Sequence, residues 1–169
     1  GKVKTFKAND DGKELVVGLY TEGDFLGYVA LLEGGSYKET AEAMEDCELA
    51  IIPKSDFDEL MNSNSQVAQK FIQLLAKNVA EKEAHLLGLA YNSLRKKVAD
   101  ALMSLQRKYQ VGDGQFFINI SRENLASIAG TATGSLSRTL GDFRFGRLIE
   151  IKDGNIVIIN EKKLDNLIN

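Results

Sequence analysis

The decisive stretch reads Ile118-Asn119-Ile120-Ser121-Arg122-Glu123-Asn124-Leu125-Ala126-Ser127-Ile128-Ala129-Gly130-Thr131-Ala132-Thr133-Gly134-Ser135-Leu136-Ser137-Arg138-Thr139-Leu140. After a link it continues Leu148-Ile149-Glu150-Ile151-Lys152-Asp153-Gly154-Asn155-Ile156-Val157-Ile158-Ile159. Ser121 can N-cap a short helix whose apolar residues Leu125, Ile128 and Ala129 fall at helical spacing. Gly130 should end it, because glycine alone enters the left-handed conformation cheaply. Thr131 or Thr133 can cap a second helix, with Leu136, Leu140 and Phe143 as its buried stripe. Two short helices joined by a glycine-containing turn form a helix-turn-helix, whose second helix can enter a DNA major groove. Asp153-Gly154 between two apolar runs is a two-residue hairpin signal. The hairpin would be a wing, so a winged helix-turn-helix is expected, with duplex DNA as its partner.

Working outward, Leu94 to Tyr109 places Leu94, Val98, Ala101, Leu102 and Leu105 on one helical face, with Arg95, Lys96 and Lys97 near its start. A longer helix is predicted to begin after Asn62-Ser63-Asn64-Ser65 and to reach about Leu89 or beyond. Ala68, Ile72, Leu75, Val79, Lys82, Leu86 and Leu89 follow the spacing of a coiled-coil seam. Val67, Phe71 and Leu74 widen the stripe, and a helix apolar on more than one side needs more than one cover. One face is expected on the upstream strands and the other on a second copy. Burial wholly within its own chain is the alternative.

Upstream, Val3 to Ala8 and Glu14 to Tyr20 are strand-like runs separated by Asn9-Asp10-Asp11-Gly12. Tyr28 to Leu32 reads as a helical turn between glycine pairs, and Thr40 to Met44 alternates. Glu48 to Pro53, with Leu49-Ala50-Ile51-Ile52, is predicted to be another strand. Ser55 is a credible N-cap for a short helix from Asp56 to Met61. Short strands with regular turns suggest a β-sandwich or β-roll.

The chain has 169 residues and one cysteine, Cys47, which leaves no intrachain disulfide and no cysteine-based metal cluster. No apolar run approaches the ~20 residues of a membrane span, and no signal peptide is visible. A cytoplasmic protein fits this usage. Gly1-Lys2-Val3-Lys4 reads as mid-strand, as if a preceding part were missing. The net charge of −3 hides a split: residues 1–60 carry −8, residues 61–91 carry +1 and residues 92–169 carry +4. A basic end suits phosphate neutralisation.

The order of β-roll, long helix and winged helix resembles the cyclic-AMP receptor protein and fumarate–nitrate regulator family of bacterial transcription factors. The resemblance spans essentially the whole chain, beginning partway into the sensor roll. It rests on Gly23-Asp24-Phe25-Leu26-Gly27, on the long helix and, most specifically, on Ser121-Arg122-Glu123 to Leu148-Ile149. It implies an α+β protein in three parts. Residues 1–61 would be the C-terminal part of a cyclic-nucleotide-binding-like β-roll, 62–91 a dimerisation helix and 92–169 a winged helix-turn-helix domain. It further implies a homodimer on a near-palindromic duplex site, pairing through Ile72, Leu75, Val79, Leu86 and Leu89, with RNA polymerase as a candidate partner.

The family's cyclic-nucleotide binders carry a glutamate after Phe-x-Gly for the ribose, and an arginine before a Ser/Thr-Ala pair for the phosphate. Here Gly27 is followed by Tyr28, and Glu39 precedes Thr40-Ala41. A carboxylate facing a phosphate repels it. Lys38, one residue out of register, offers a point charge without the guanidinium fork. Cyclic AMP is not an expected ligand, and no cofactor is assigned. Cys47 reads as a small buried hydrophobe and His85 as a surface or packing residue.

By the same resemblance Thr133, Gly134 and Arg138 reach base edges, and Ser121, Arg122 and Ser135 touch the DNA backbone. Arg138 can donate a bidentate pair to guanine, or sit on phosphate or solvent. Thr133 can meet a thymine methyl or a phosphate, or serve as a cap. Gly134, where many relatives carry glutamate, reads nothing, so the site is different or looser, or the residue was changed.

The expectation is a dimeric, DNA-binding transcriptional regulator. A ligand-binding regulatory module, or a protein-interaction module without DNA readout, is the alternative. An enzyme is not expected: no paired nucleophile and base, no metal-spaced His/Cys set and no phosphate loop is present, and Gly112-Asp113-Gly114 reads as a turn.

Overall fold

The computed structural model describes residues 1–167, so the last two residues of the predicted 92–169 segment lie outside the described residues. Its best-packed part is the winged helix-turn-helix. Helix α4 (Leu94–Tyr109) buries Val98, Leu102 and Leu105 and is capped by Ser93, whose hydroxyl accepts from the Lys96 amide. Helix α5 (Arg122–Ile128) is capped by Ser121 as predicted, with the Asn124 amide as donor. Gly130 follows with φ 59. The Thr131 amide reaches the Ala126 carbonyl at 3.0 Å and the Gly130 amide reaches Ser127 at 3.4 Å, the paired bonds of a Schellman turn.

Helix α6 (Thr133–Phe145) then buries Leu136, Leu140 and Phe143, the predicted stripe. Neither threonine caps it. Ala132 is the N-cap, without a side-chain bond. The Thr131 amide is committed to the preceding turn, and Thr133 is already the first helical residue. Strands β4 (Ile149–Lys152) and β5 (Asn155–Ile158) form the wing. Its turn has φ 49 at Asp153 and φ 82 at Gly154, so both central residues are left-handed, as a type I′ hairpin requires. A short terminal helix, α7 (Glu161–Asp165), has no counterpart in the sequence reading. Asn160 caps it, Leu164 fills the core, and Arg107 holds Asp165 at 2.6 Å.

The N-terminal part is a three-stranded antiparallel sheet in the order β2-β1-β3, where β1 is Val3–Ala8, β2 Glu14–Tyr20 and β3 Thr40–Ala43. Helices α1 (Tyr28–Glu33) and α2 (Lys54–Ser63) follow the turns the sequence marks. Two expectations fail here. Glu48 to Pro53 is not a strand: it pairs with no other strand among the described residues, and Ile51 stays 90% exposed. A strand exists through hydrogen bonds to a neighbour, and apolar composition alone supplies none. Ser55 is not a cap either. Helix α2 starts at Lys54, two residues earlier than Asp56, with Pro53 as its N-cap, and the Ser55 hydroxyl donates instead to Asp56.

Helix α3 (Ser65–Tyr91) is capped by Asn64 and extends about 40 Å. Only Phe71 along it is buried, with the rings of Phe25, Tyr28 and Phe57 edge-on around it.

The sheet is packed directly on the helix-turn-helix. Phe6 and Val16 belong to the same apolar cluster as Leu102 and Leu125. Lys4 is 2% exposed. Its ammonium donates to the Asn124 side chain at 2.6 Å and faces Glu42 at 3.2 Å. Ser127 donates to the Glu14 carbonyl, and Lys108 pairs with Asp24. A Cβ on Gly130 would come within 2.8 Å of a Leu89 methyl.

Two substitutions test this arrangement. Lys4→Ala leaves the Asn124 amide oxygen and Glu42 without their buried donor, so denaturant unfolding should show a loss of about 2 kcal/mol. Gly130→Ala meets both a positive φ and the Leu89 side chain. Its cost should exceed the ~1–2 kcal/mol of the left-handed backbone alone, read as a fall in unfolding midpoint at constant m-value.

Candidate nucleic-acid interface

With Leu136, Leu140 and Phe143 turned inward, α6 presents the opposite side to solvent. Arg138 lies there, exposed, with no ion pair or hydrogen bond to any described residue. Gly134 is exposed, and a Cβ built on it would touch nothing within 4 Å. Thr133 is exposed at the first helical position, and Ser135 is half-buried with its carbonyl accepting from the Thr139 hydroxyl at 3.0 Å. That bond satisfies Thr139, one of the few buried polar side chains. Thr133, Gly134, Ser135 and Arg138 thus share the first turns of one helix.

Ser121 and Arg122 stand at the start of α5. Ser121 spends its oxygen lone pair on capping but keeps its hydroxyl proton free to donate. Arg122 does something sequence reasoning missed. Its Nη2 donates to the Gly154 carbonyl at 3.4 Å, tying the first helix of the motif to the tip of the wing, while its Nη1 is buried with no partner. No local pattern signals this contact, since 32 residues separate the two groups. Further along α6, Asp142 is engaged by Arg95 at 3.4 Å, and the Arg95 guanidinium lies over the Phe143 ring.

The cassette residues are placed differently from a phosphate cradle. Gly27, with φ 80, precedes α1. Tyr28 opens α1, and its hydroxyl accepts from the Asn78 amide at 2.7 Å. Lys38 is paired with Glu33 at 2.8 Å, and Thr40 lies exposed in β3. Glu39 has one carboxylate oxygen buried without a partner. The Tyr20 phenol nearby is held above its ordinary pKa, chiefly by burial and further by the negative charge of Glu39. An open groove of about 260 Å³ beside α1 is lined by Ala30, Leu31, Tyr37 and Lys54, and by none of the five cassette residues. A cyclic nucleotide does not fit this set: the residue in the phosphate-gripping position is a carboxylate, and the one in the ribose position is a phenol already bonded to α3.

On α3, Ile72, Val79 and Leu86 are 62%, 57% and 57% exposed, whereas Leu75 and Leu89 are half-buried, Leu89 against the Gly130 turn. His85 is on the same helix, its pKa lowered by desolvation, with Val16 and Asp100 close by. Cys47 is half-buried, its thiol directed at the Lys2 and Glu45 carbonyls. Among the described residues no group of His, Cys, Asp or Glu is placed to hold a metal, and no helix is long and apolar enough to cross a membrane.

A winged helix-turn-helix joined to a small sensor-like sheet defines a class, the DNA-binding transcriptional regulators. Residues 1–64 match the cyclic nucleotide-binding domain family and residues 96–167 the Crp-like helix-turn-helix domain family. The chain is 29% identical to the cyclic AMP receptor protein of Thermus thermophilus over 167 residues, covering 99% of this chain and 76% of that one. It is 22% identical to the fumarate and nitrate reduction regulatory protein of Vibrio cholerae over 170 residues, 99% and 68% of the two chains. In structure it resembles FixK2 of Bradyrhizobium japonicum with a TM-score of 0.83 and 25% identity, over 99% of this chain and 83% of that one. The chain thus combines these two domains, and regulators named as a cyclic AMP receptor protein and a fumarate and nitrate reduction regulatory protein align with it along 99% of its length.

Arg122→Ala should free the wing tip while leaving the apolar core intact. Hydrogen exchange at the amides of residues 153–155 is expected to quicken, with a global stability loss of no more than about 1 kcal/mol.

Proposed function

We propose that this regulator acts in the cytoplasm as a homodimer whose two α6 helices read a near-palindromic duplex site. Arg138 is the observation that carries the reading. It is a guanidinium without a partner among the described residues, on the solvent face of the second helix of a winged helix-turn-helix, placed to donate to the O6 and N7 of a guanine in the major groove. Thr133 would contact a base edge or a phosphate, Ser121, Arg122 and Ser135 would hold the backbone, and Gly134 would contribute no side chain.

Pairing through α3 accounts for the exposure of Ile72, Val79 and Leu86 at coiled-coil spacing. Leu75 would join that seam, and Leu89 would link it to the Gly130 turn. A twofold axis along α3 would place the two α6 helices on half-sites roughly 34–36 Å apart. Signals received by the sheet would act by favouring one arrangement of the pair. Cyclic AMP is not the proposed signal, because Glu39 and Tyr28 stand where phosphate and ribose would have to be held. No cofactor and no enzymatic step is assigned, and the protein would act by binding DNA and, through it, RNA polymerase.

Selection of bound duplexes from a random pool at about 0.15 M salt, where non-specific phosphate binding is weak, should recover a twofold-symmetric sequence. Arg138→Ala should abolish the enrichment. Failure of the wild type to enrich any sequence, or a monomeric mass at micromolar concentration, would refute the proposal.

A further inference from the structure

The solvent face of α6 is unusually bare. Gly134, Arg138, Gly141 and Phe145 fall at i, i+4, i+7 and i+11, one line along the helix directly opposite Leu136, Leu140 and Phe143. A Cβ added at Gly134 or Gly141 would meet nothing within 4 Å, so neither glycine answers to packing inside the protein. Each weakens the helix relative to alanine. Phe145 is 93% exposed. A single exposed apolar side chain is ordinary by itself. This one shares a line with the Arg138 guanidinium, and the residue between them is a glycine. Of the other charged groups on α6, Asp142 is engaged by Arg95, and Arg144 lies about a quarter-turn off this line.

We infer that α6 reads each half-site with two side chains only, Arg138 on one guanine and Phe145 on one thymine methyl, so that of the two contacts open to Thr133 it makes the phosphate one. This rests on the DNA reading above. Missing side chains at 134 and 141 let the helix backbone come close to the groove floor, which brings the phenyl ring within reach of the bases. A phenyl group has no hydrogen bond to offer, and in the major groove the apolar feature of a base pair is the C5-methyl of thymine. Seven residues of helix separate the two readers, about 10 Å, which is about three base-pair steps at ~3.4 Å each. The half-site should therefore hold a guanine and a thymine about three steps apart, with little discrimination elsewhere.

The test uses the intact protein and the selected duplex, with thymines replaced one at a time by deoxyuridine, which lacks only the methyl. At one thymine per half-site the wild type should lose about 3- to 10-fold in affinity, while Phe145→Ala binds the two duplexes equally. Gly141→Leu, which stands the helix off the groove, should erase the same methyl dependence while keeping the guanine dependence of about 10- to 100-fold that Arg138→Ala removes. A selected site whose deoxyuridine series is flat for the wild type overturns this inference and leaves the DNA reading standing. So does strong discrimination at several further positions that survives Arg138→Ala. Failure to bind any duplex, even at low salt, overturns both.

Discussion

A side chain at position 130 is excluded twice, once by its φ of 59 and once by the Leu89 methyl that already occupies the space. The geometry of the molecule passes through this point. The left-handed turn sets the angle between α5 and α6, and that angle decides which face of α6 is buried and which is offered outward. The same turn seats the end of α3, and Leu15 of β2 lies nearby. Sheet, long helix and reading motif therefore meet where no Cβ is tolerated. A change in how α3 lies would reach α6 through this packing with little slack, because close-packed interiors have few voids to absorb it.

Charge reinforces the meeting. The acidic N-terminal segment and the basic C-terminal one are joined across α5 by a buried lysine, with Asn124 on one side and Glu42 on the other. An ammonium removed from water needs such partners or becomes a liability. The contact is thus specific as well as adhesive: it sets where the sheet sits along α5. Docking the sheet here also draws Phe6 and Val16 into the winged-helix core, so the two matched domains share one apolar cluster.

Much of this was legible in the residues. The winged helix was readable because each of its elements is bounded by a residue with a local physical job: Ser121 as a cap, Gly130 as a left-handed stop, Asp153-Gly154 as a type I′ turn. The strands Val3–Ala8 and Glu14–Tyr20 were readable from the turn cluster between them. Glu48 to Pro53 was misread because apolar composition describes a strand's preference for burial and says nothing of whether a partner edge exists. The caps at Thr131, Thr133 and Ser55 were misplaced for a related reason. Capping power is local, but the residue that starts a helix is settled by the turn before it. Helix α7 was missed because a five-residue helix carries too little periodicity to register.

The candidate site divides along the same line. Thr133, Gly134, Ser135 and Arg138 were assembled as a candidate group through the resemblance to the family, and helical spacing adds only that Gly134 and Ser135, four and three residues before Arg138, lie on its side of the helix. The expectation that Tyr28 and Glu39 do not suit a cyclic phosphate likewise came from charge, set against the pattern of the family's nucleotide binders, and needs no coordinates. Tertiary structure alone decided that Arg122 holds the wing, that Lys4 holds α5, and that Gly134 and Gly141 face open space. Those facts depend on groups far apart in the chain arriving within a few ångströms, and local pattern carries no information about distance in space.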